Sequence, residues 1–292
     1  LKSEKDIMSV LQTFFDQNED LLIFLMNGSK VNVNIPDDKF KDFDVVFFTN
    51  DIAKYISNSE FINKTFGEIL LMTEPFSSFN LELFKDESDG KRYSYLIQLV
   101  DGNRIDMSFY ELDYLDEYLK LDSLTKLIGD KTNRIKEDII PSDADYLLRY
   151  PSSEVIKECI KEFWWQYLNT LKSVVRKDYL LAQKYLDYTR EQLTQMLAWE
   201  VALENGFDKN YGKEFTNITK YLSPEKLNLL QQTFNTTDFE DMISSLKSMK
   251  TLEVKVEKIL SDRMSFDYTD YSHIPRSYLI SKDEEELASD FR

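Results

Sequence analysis

The chain has 292 residues, 42% of them apolar with 20 Phe and 17 Tyr, and sets 36 Lys and Arg against 53 Asp and Glu for a formal charge of −17. That balance argues against a partner held by phosphate neutralisation, such as bulk DNA or RNA, and permits a cationic one, because an acidic cleft concentrates positive ligands. A single cysteine, Cys159, and a single histidine, His273, exclude an internal disulfide, a thiolate cluster and histidine-rich metal sites.

Ser3 to Gln17 places Ile7, Val10, Leu11, Phe14 and Phe15 at helical spacing, which predicts an amphipathic helix ended by Asn18, Glu19 and Asp20. An apolar run from Leu21 stops abruptly at Gly28-Ser29. A loop follows through Pro36 and Asp37-Asp38, and a second apolar run opens with Asp42 and Asp44. With Phe43 to Phe48 as a strand, those two aspartates project to one side, while Phe43 and Val45 face the other. Carboxylates so close repel each other, and an apolar run is a costly place for them. A hard divalent cation resolves both problems, since Mg²⁺ is usually held by one or two carboxylates together with substrate phosphates. Gly28-Ser29 can bring backbone N–H groups and a hydroxyl against a phosphate. The plainer alternative is a β-hairpin with a polar mouth.

Asp51 to Tyr55 reads as a short helix, with Phe61, Ile62 and Phe66 continuing a helical face, and Glu68 to Thr73 as a short strand. Pro75 to Phe79 reads as a loop. Tyr93 to Val100 and Arg104 to Tyr110 flank the turn dipeptide Asp101-Gly102, which predicts a hairpin. Asp106 alternates with apolar neighbours in its second arm. It is either an exposed-face residue or a third acidic group on a strand beside the Asp-x-Asp strand, and three converging carboxylates suit metal-assisted transfer of a phosphoryl or nucleotidyl group. Glu111 to Asp122 reads as helical and Leu124 to Ile128 as a short apolar segment. Lys131, Arg134 and Lys136 follow, within reach of a triphosphate or simply on a solvated turn.

A chain of this length can hold one domain or two. Loop and helix-start signals from Ile140-Pro141 to Pro151-Ser153 mark the boundary, which predicts a first domain over 1–150. Long helical patterns fill 151–265. Ile156, Ile160, Phe163 and Trp164 share a face that Leu168, Leu171, Val174 and Val175 extend. Lys177 to Asn205 carries Leu180, Leu181, Leu186, Leu193 and Leu197 and stops at Gly206; Pro224 opens a further helix, and Asp238 caps a pattern reaching Leu260. Residues 266–292 read as an irregular tail or a short helix. The fold class is α+β, a strand-rich N-terminal domain followed by a helical one. No apolar run reaches about 18 residues, so no membrane partner is expected and the default location is cytoplasmic.

The residues also resemble a known family. Gly28-Ser29, Asp42-Phe43-Asp44 and a later strand with Asp106 resemble the nucleotidyltransferase superfamily. Gly28-Ser29-Lys30-Val31-Asn32, Lys41-Asp42-Phe43-Asp44-Val45, Arg104-Ile105-Asp106-Met107 and Leu127-Ile128-Gly129-Asp130-Lys131 are similar to the streptomycin (aminoglycoside 6-) adenylyltransferases. So are Phe163-Trp164, Arg176-Lys177-Asp178, Trp199 and Glu204-Asn205-Gly206-Phe207, followed by Gly212-Lys213. The similarity runs in order to about residue 265. It implies a mixed-sheet nucleotidyltransferase domain and a helical domain with substrates bound between them, and ATP-dependent transfer of AMP to the 6-hydroxyl of streptomycin.

On that resemblance, Gly28, Ser29 and Lys30 hold the terminal phosphates of ATP, with Lys213 a further phosphate candidate. Asp42 and Asp44 bind Mg²⁺, and Asp106 joins the metal or accepts the proton of the attacking hydroxyl. Asp178 binds a guanidinium or positions the acceptor, a cationic aminoglycoside; the protein is expected to act as a monomer or homodimer. Three departures bear on this. Lys30 stands where the family commonly has Arg and lacks its bidentate fork. Trp165 puts a large ring where the family has a small polar side chain, at the acceptor. A histidine frequent in the helix after Asp178 is absent. The alternatives are a nucleotidyltransferase with another small-molecule or protein hydroxyl as acceptor, and a non-catalytic nucleotide-binding relative.

Overall fold

In the computed structural model, which describes residues 2–84 and 90–291, the chain forms two compact units, Leu1–Asp145 and Tyr146–Arg292. The first is built on a sheet. Helix α1 (Glu4–Gln17) starts at a reciprocal cap: Ser3 Oγ accepts from the Asp6 N–H, and Asp6 accepts from the Ser3 N–H. Ile7, Leu11, Phe14 and Phe15 form its buried stripe. At its other end, Lys131 Nζ donates to the carbonyls of Phe15 and Asn18 at 2.6 and 2.8 Å. This cation of the post-strand turn is therefore engaged with a helix C-terminus, where a positive charge complements the dipole.

The strands are β1 (Leu21–Asn27), β2 (Phe43–Thr49), β3 (Ile69–Thr73), β4 (Arg92–Leu99), β5 (Arg104–Glu111) and β6 (Thr125–Asp130), ordered β3-β4-β5-β2-β1-β6. Among the described residues only β2 and β5 pair in parallel, so the sheet is mixed. Side chains alternate across it. Phe24, Phe43, Val45, Phe47, Met107 and Phe109 face one core, which α1 and α2 (Glu60–Thr65) cover. Phe47 anchors that layer, stacking on Phe24 at 4.7 Å and Phe109 at 5.7 Å. Ile23, Leu25, Val46 and Phe48 face the other side, where they meet Leu115 and Tyr118.

Two elements differ from the sequence expectation. Pro75-Phe79 is a loop only at its start, because α3 (Ser78–Phe84) begins within it. The helix read over Glu111–Asp122 is confined to a 3₁₀ turn at Leu112–Tyr114 and the short α4 (Leu115–Tyr118).

The second unit is helical: α5 (Ser153–Val175), α6 (Tyr179–Asn205), α7 (Pro224–Gln232), α8 (Phe239–Met264), α9 (Ile274–Ile280) and α10 (Glu285–Ser289). Ser152, Asp178, Ser223 and Asp238 cap the four long ones with side-chain oxygens, and Gly206 closes α6 at φ 106°. The predicted faces are buried: Ile156, Ile160, Phe163 and Trp164 pack with Leu186, Leu193 and Leu197. Leu180 is the exception, on the solvent side of the first turn of α6. The stretch read as an irregular tail or a short helix forms α9 and α10 and folds onto this core, with Leu279, Ala288 and Phe291 buried. Among the described residues no helix is long and apolar enough to cross a membrane.

Candidate active site

The parallel register of β2 and β5 sets Asp44 directly opposite Asp106. Alternation turns both away from the Phe43 and Ile105 core and toward the α4 side of the sheet. Like charges in register destabilise a sheet, so this pairing needs a compensating cation. Burial, then the Asp106 carboxylate, then that of Asp42, push Asp44 from the usual 3.8 up to about 6. Asp42, just before the strand, is also raised by burial, against the pull of Arg104.

Gly28 follows β1 and opens a 3₁₀ turn, Gly28–Lys30. Its φ of +73° is left-handed, and a Cβ there would lie 3.1 Å from Asp44 Cγ and closer still to Oδ2. Glycine is thus required twice, by the turn and by the carboxylate against it. Behind the turn, Gly28 N–H donates to the Leu124 carbonyl at 3.2 Å, Asn27 Nδ2 donates to Thr125 Oγ1 at 2.7 Å, and Tyr118 OH donates to Asn27 Oδ1 at 3.2 Å. The Gly28 N–H is accordingly engaged within the fold. The half-buried Ser29 forms no side-chain hydrogen bond among the described residues.

The remaining sequence candidates lie elsewhere. Lys30 packs with its Nζ 4.3 Å from the centre of the Phe43 ring and 3.2 Å from Glu4, so its charge reaches Asp42 through space and is not aimed at the carboxylates. Lys213 is exposed at the start of a 3₁₀ stretch, Lys213–Lys220. Asp178 is exposed and caps α6, accepting from Leu181 N–H at 3.2 Å. Trp165 is 65% exposed on α5, unlike its buried neighbours Phe163 and Trp164. These three belong to the helical unit.

Sequence reading passed over Arg104 as a site residue. It lies two residues before Asp106 on β5 and therefore shares its side of the sheet. Nε and Nη2 donate to the two oxygens of Asp106 at 2.8 and 2.7 Å, and Nε lies 3.5 Å from Asp42 Oδ2. The Arg-x-Asp spacing at the start of a strand was the signal for it. The helical unit also contains a cavity of about 530 Å³ lined by Asp187, Glu191, Gln195, Glu214 and Phe215, with Arg190 tied back to Asp187 and Thr233. Periodicity could not locate it, because Asp187 and Glu191 lie on the solvent side of α6 and Glu214 comes from the separate Lys213–Lys220 stretch.

Oxygen-only donors and an under-compensated Asp44 suit Mg²⁺. Among the described residues no group of three or more His, Cys, Asp and Glu is arranged to hold a metal ion by itself.

Against known proteins, the streptomycin adenylyltransferase family model matches residues 1–281. An aminoglycoside 6-adenylyltransferase of Campylobacter jejuni is 30% identical over 281 residues, 96% of this chain and 96% of that one. Another, from Staphylococcus aureus, is 31% identical and covers 93% of this chain and 95% of its own. A third, from Bacillus subtilis, is 29% identical over 93% and 94% of the two chains.

Proposed function

The chain belongs to the aminoglycoside 6-adenylyltransferase family, within the nucleotidyltransferase superfamily, and on that footing we propose that it moves AMP from ATP to a hydroxyl of an aminoglycoside, most specifically the 6-hydroxyl of streptomycin, releasing pyrophosphate. The observation that carries the reading is the register that sets Asp44 opposite Asp106 beside the Gly28-Ser29 turn.

In this reading Asp42 and Asp44 hold Mg²⁺, with Asp106 as a further ligand. A cation held there would supply charge stabilisation for transfer at the α-phosphorus. The Ser29 hydroxyl donates to a terminal phosphate. The acceptor oxygen bonds to the α-phosphorus as the bond to the pyrophosphate oxygen breaks, and a carboxylate takes the hydroxyl proton. Asp106, opposite Asp44 in register, would either join the metal or take that proton. Lys30 contributes field at Asp42 and fixes the turn through Glu4, while Lys213 is kept as a phosphate contact. Trp165 and Asp178, both exposed, are proposed to contact the cationic acceptor. The exposed ring of Trp165 favours a second reading, in which the acceptor is another small hydroxyl compound.

The test is mass spectrometry of streptomycin incubated with ATP, Mg²⁺ and the protein. The reading expects a product heavier by one AMP, absent with the Asp42→Asn, Asp44→Asn double variant; an unmodified drug under all conditions contradicts it.

A further inference from the structure

Arg104 bonds both oxygens of Asp106 and approaches Asp42, so one guanidinium spans two of the three carboxylates. Asp44, opposite Asp106 in register, forms no ion pair among the described residues. A two-pronged pair of this kind engages the same carboxylate oxygens that a divalent cation would take. Two cations at those oxygens repel each other, so the fork competes with a metal on Asp106. Arg104's side chain is 44% exposed, which leaves it room to swing outward. Exposed pairs are weak, so displacement is within the reach of an incoming ligand.

We propose that Arg104 is a positioning latch: in the nucleotide-free protein its fork closes on Asp106 and Asp42, and it must release them before those carboxylates accept a divalent cation. The inference rests on the reading of these aspartates as metal-holding residues. Its consequence is that the empty protein binds metal weakly and gains affinity when the fork is opened.

The test is Mn²⁺ binding without nucleotide, read by electron paramagnetic resonance of the free ion, for the wild type, Arg104→Gln and Arg104→Lys. The latch predicts roughly fivefold tighter binding for Arg104→Gln, and a smaller tightening for Arg104→Lys, which keeps the charge but loses the fork. Mn²⁺ binding equal in all three proteins overturns the latch alone. So does Arg104→Lys matching the wild type while Arg104→Gln tightens, because charge without geometry would then explain the effect. Absence of Mn²⁺ binding from every form overturns both the latch and the functional reading beneath it.

Discussion

Gly28 lies so close to Asp44 that the carboxylate occupies the place a Cβ would need. The turn after β1 and the acidic opening of β2 are therefore one unit of structure. Gly28→Ala must strain a left-handed backbone, at about 1–2 kcal/mol, and push Asp44 off its position. We expect a small loss in thermal stability with a fall in turnover of roughly a hundredfold, in line with the cost of misplacing a reacting group. Near-normal turnover in a stable Gly28→Ala protein would detach Asp44's position from the chemistry.

Asp44 titrates at about 6 in the fold against the usual 3.8. The native state binds this proton more tightly than the unfolded chain does, so its contribution is fully present below about 4 and is lost as pH rises through about 6. The loss is at most about 3 kcal/mol. In metal-free buffer, Asp44→Asn should raise the urea midpoint at pH 8 and leave it nearly unchanged at pH 4. Equal midpoints at pH 8 would mean that the charge is relieved elsewhere.

Much of this site is legible in the sequence. Gly-Ser after an apolar run and Asp-x-Asp opening the next are local patterns, and strand alternation fixes which way Asp42 and Asp44 point. For Asp106 the sequence leaves two readings, an exposed-face residue or a neighbour of that strand, and the β2–β5 pairing sets it beside Asp44. Other features depend on tertiary partners. Lys30 is drawn to Glu4 and Phe43, Arg104 is turned onto Asp106, and α3 forms despite its Pro-Phe-Ser-Ser lead. Asp178 has the opposite history: resemblance suggested a ligand role, and a helix-start signal was available to explain it as a cap.

Those two roles of Asp178 are separable. Asp178→Ser keeps a capping oxygen and removes the charge, so stability should hold, whereas Asp178→Ala should cost about 1 kcal/mol. An acceptor contact predicts a several-fold higher KM for streptomycin in both variants with KM for ATP unchanged. Normal acceptor KM in Asp178→Ser would leave the cap as its whole role. Trp165→Ala, at an exposed position, should alter stability by no more than about 0.5 kcal/mol while raising the acceptor KM.

A second acidic centre belongs to the helical unit. Glu253 on α8 is fully buried, its carboxylate facing Glu257 and the Trp164 indole without a well-formed hydrogen bond among the described residues. Burial, then the Glu257 carboxylate, push it well above the carboxylate range. Its stabilising contribution is thus lost as pH rises from the ordinary 4.5 through that elevated value. Glu253→Gln should flatten the alkaline fall of the melting temperature. Parallel wild-type and variant profiles would show that this glutamate does not titrate in that range.

The central claim is acceptor-dependent nucleotidyl transfer through the paired aspartates. Pyrophosphate release from ATP and Mg²⁺ should be measured with streptomycin, with other aminoglycosides and with no acceptor, alongside the Asp42→Asn, Asp44→Asn protein. The account predicts release that requires streptomycin and disappears in the double variant. Release that persists in the double variant, or none with any aminoglycoside, would contradict it.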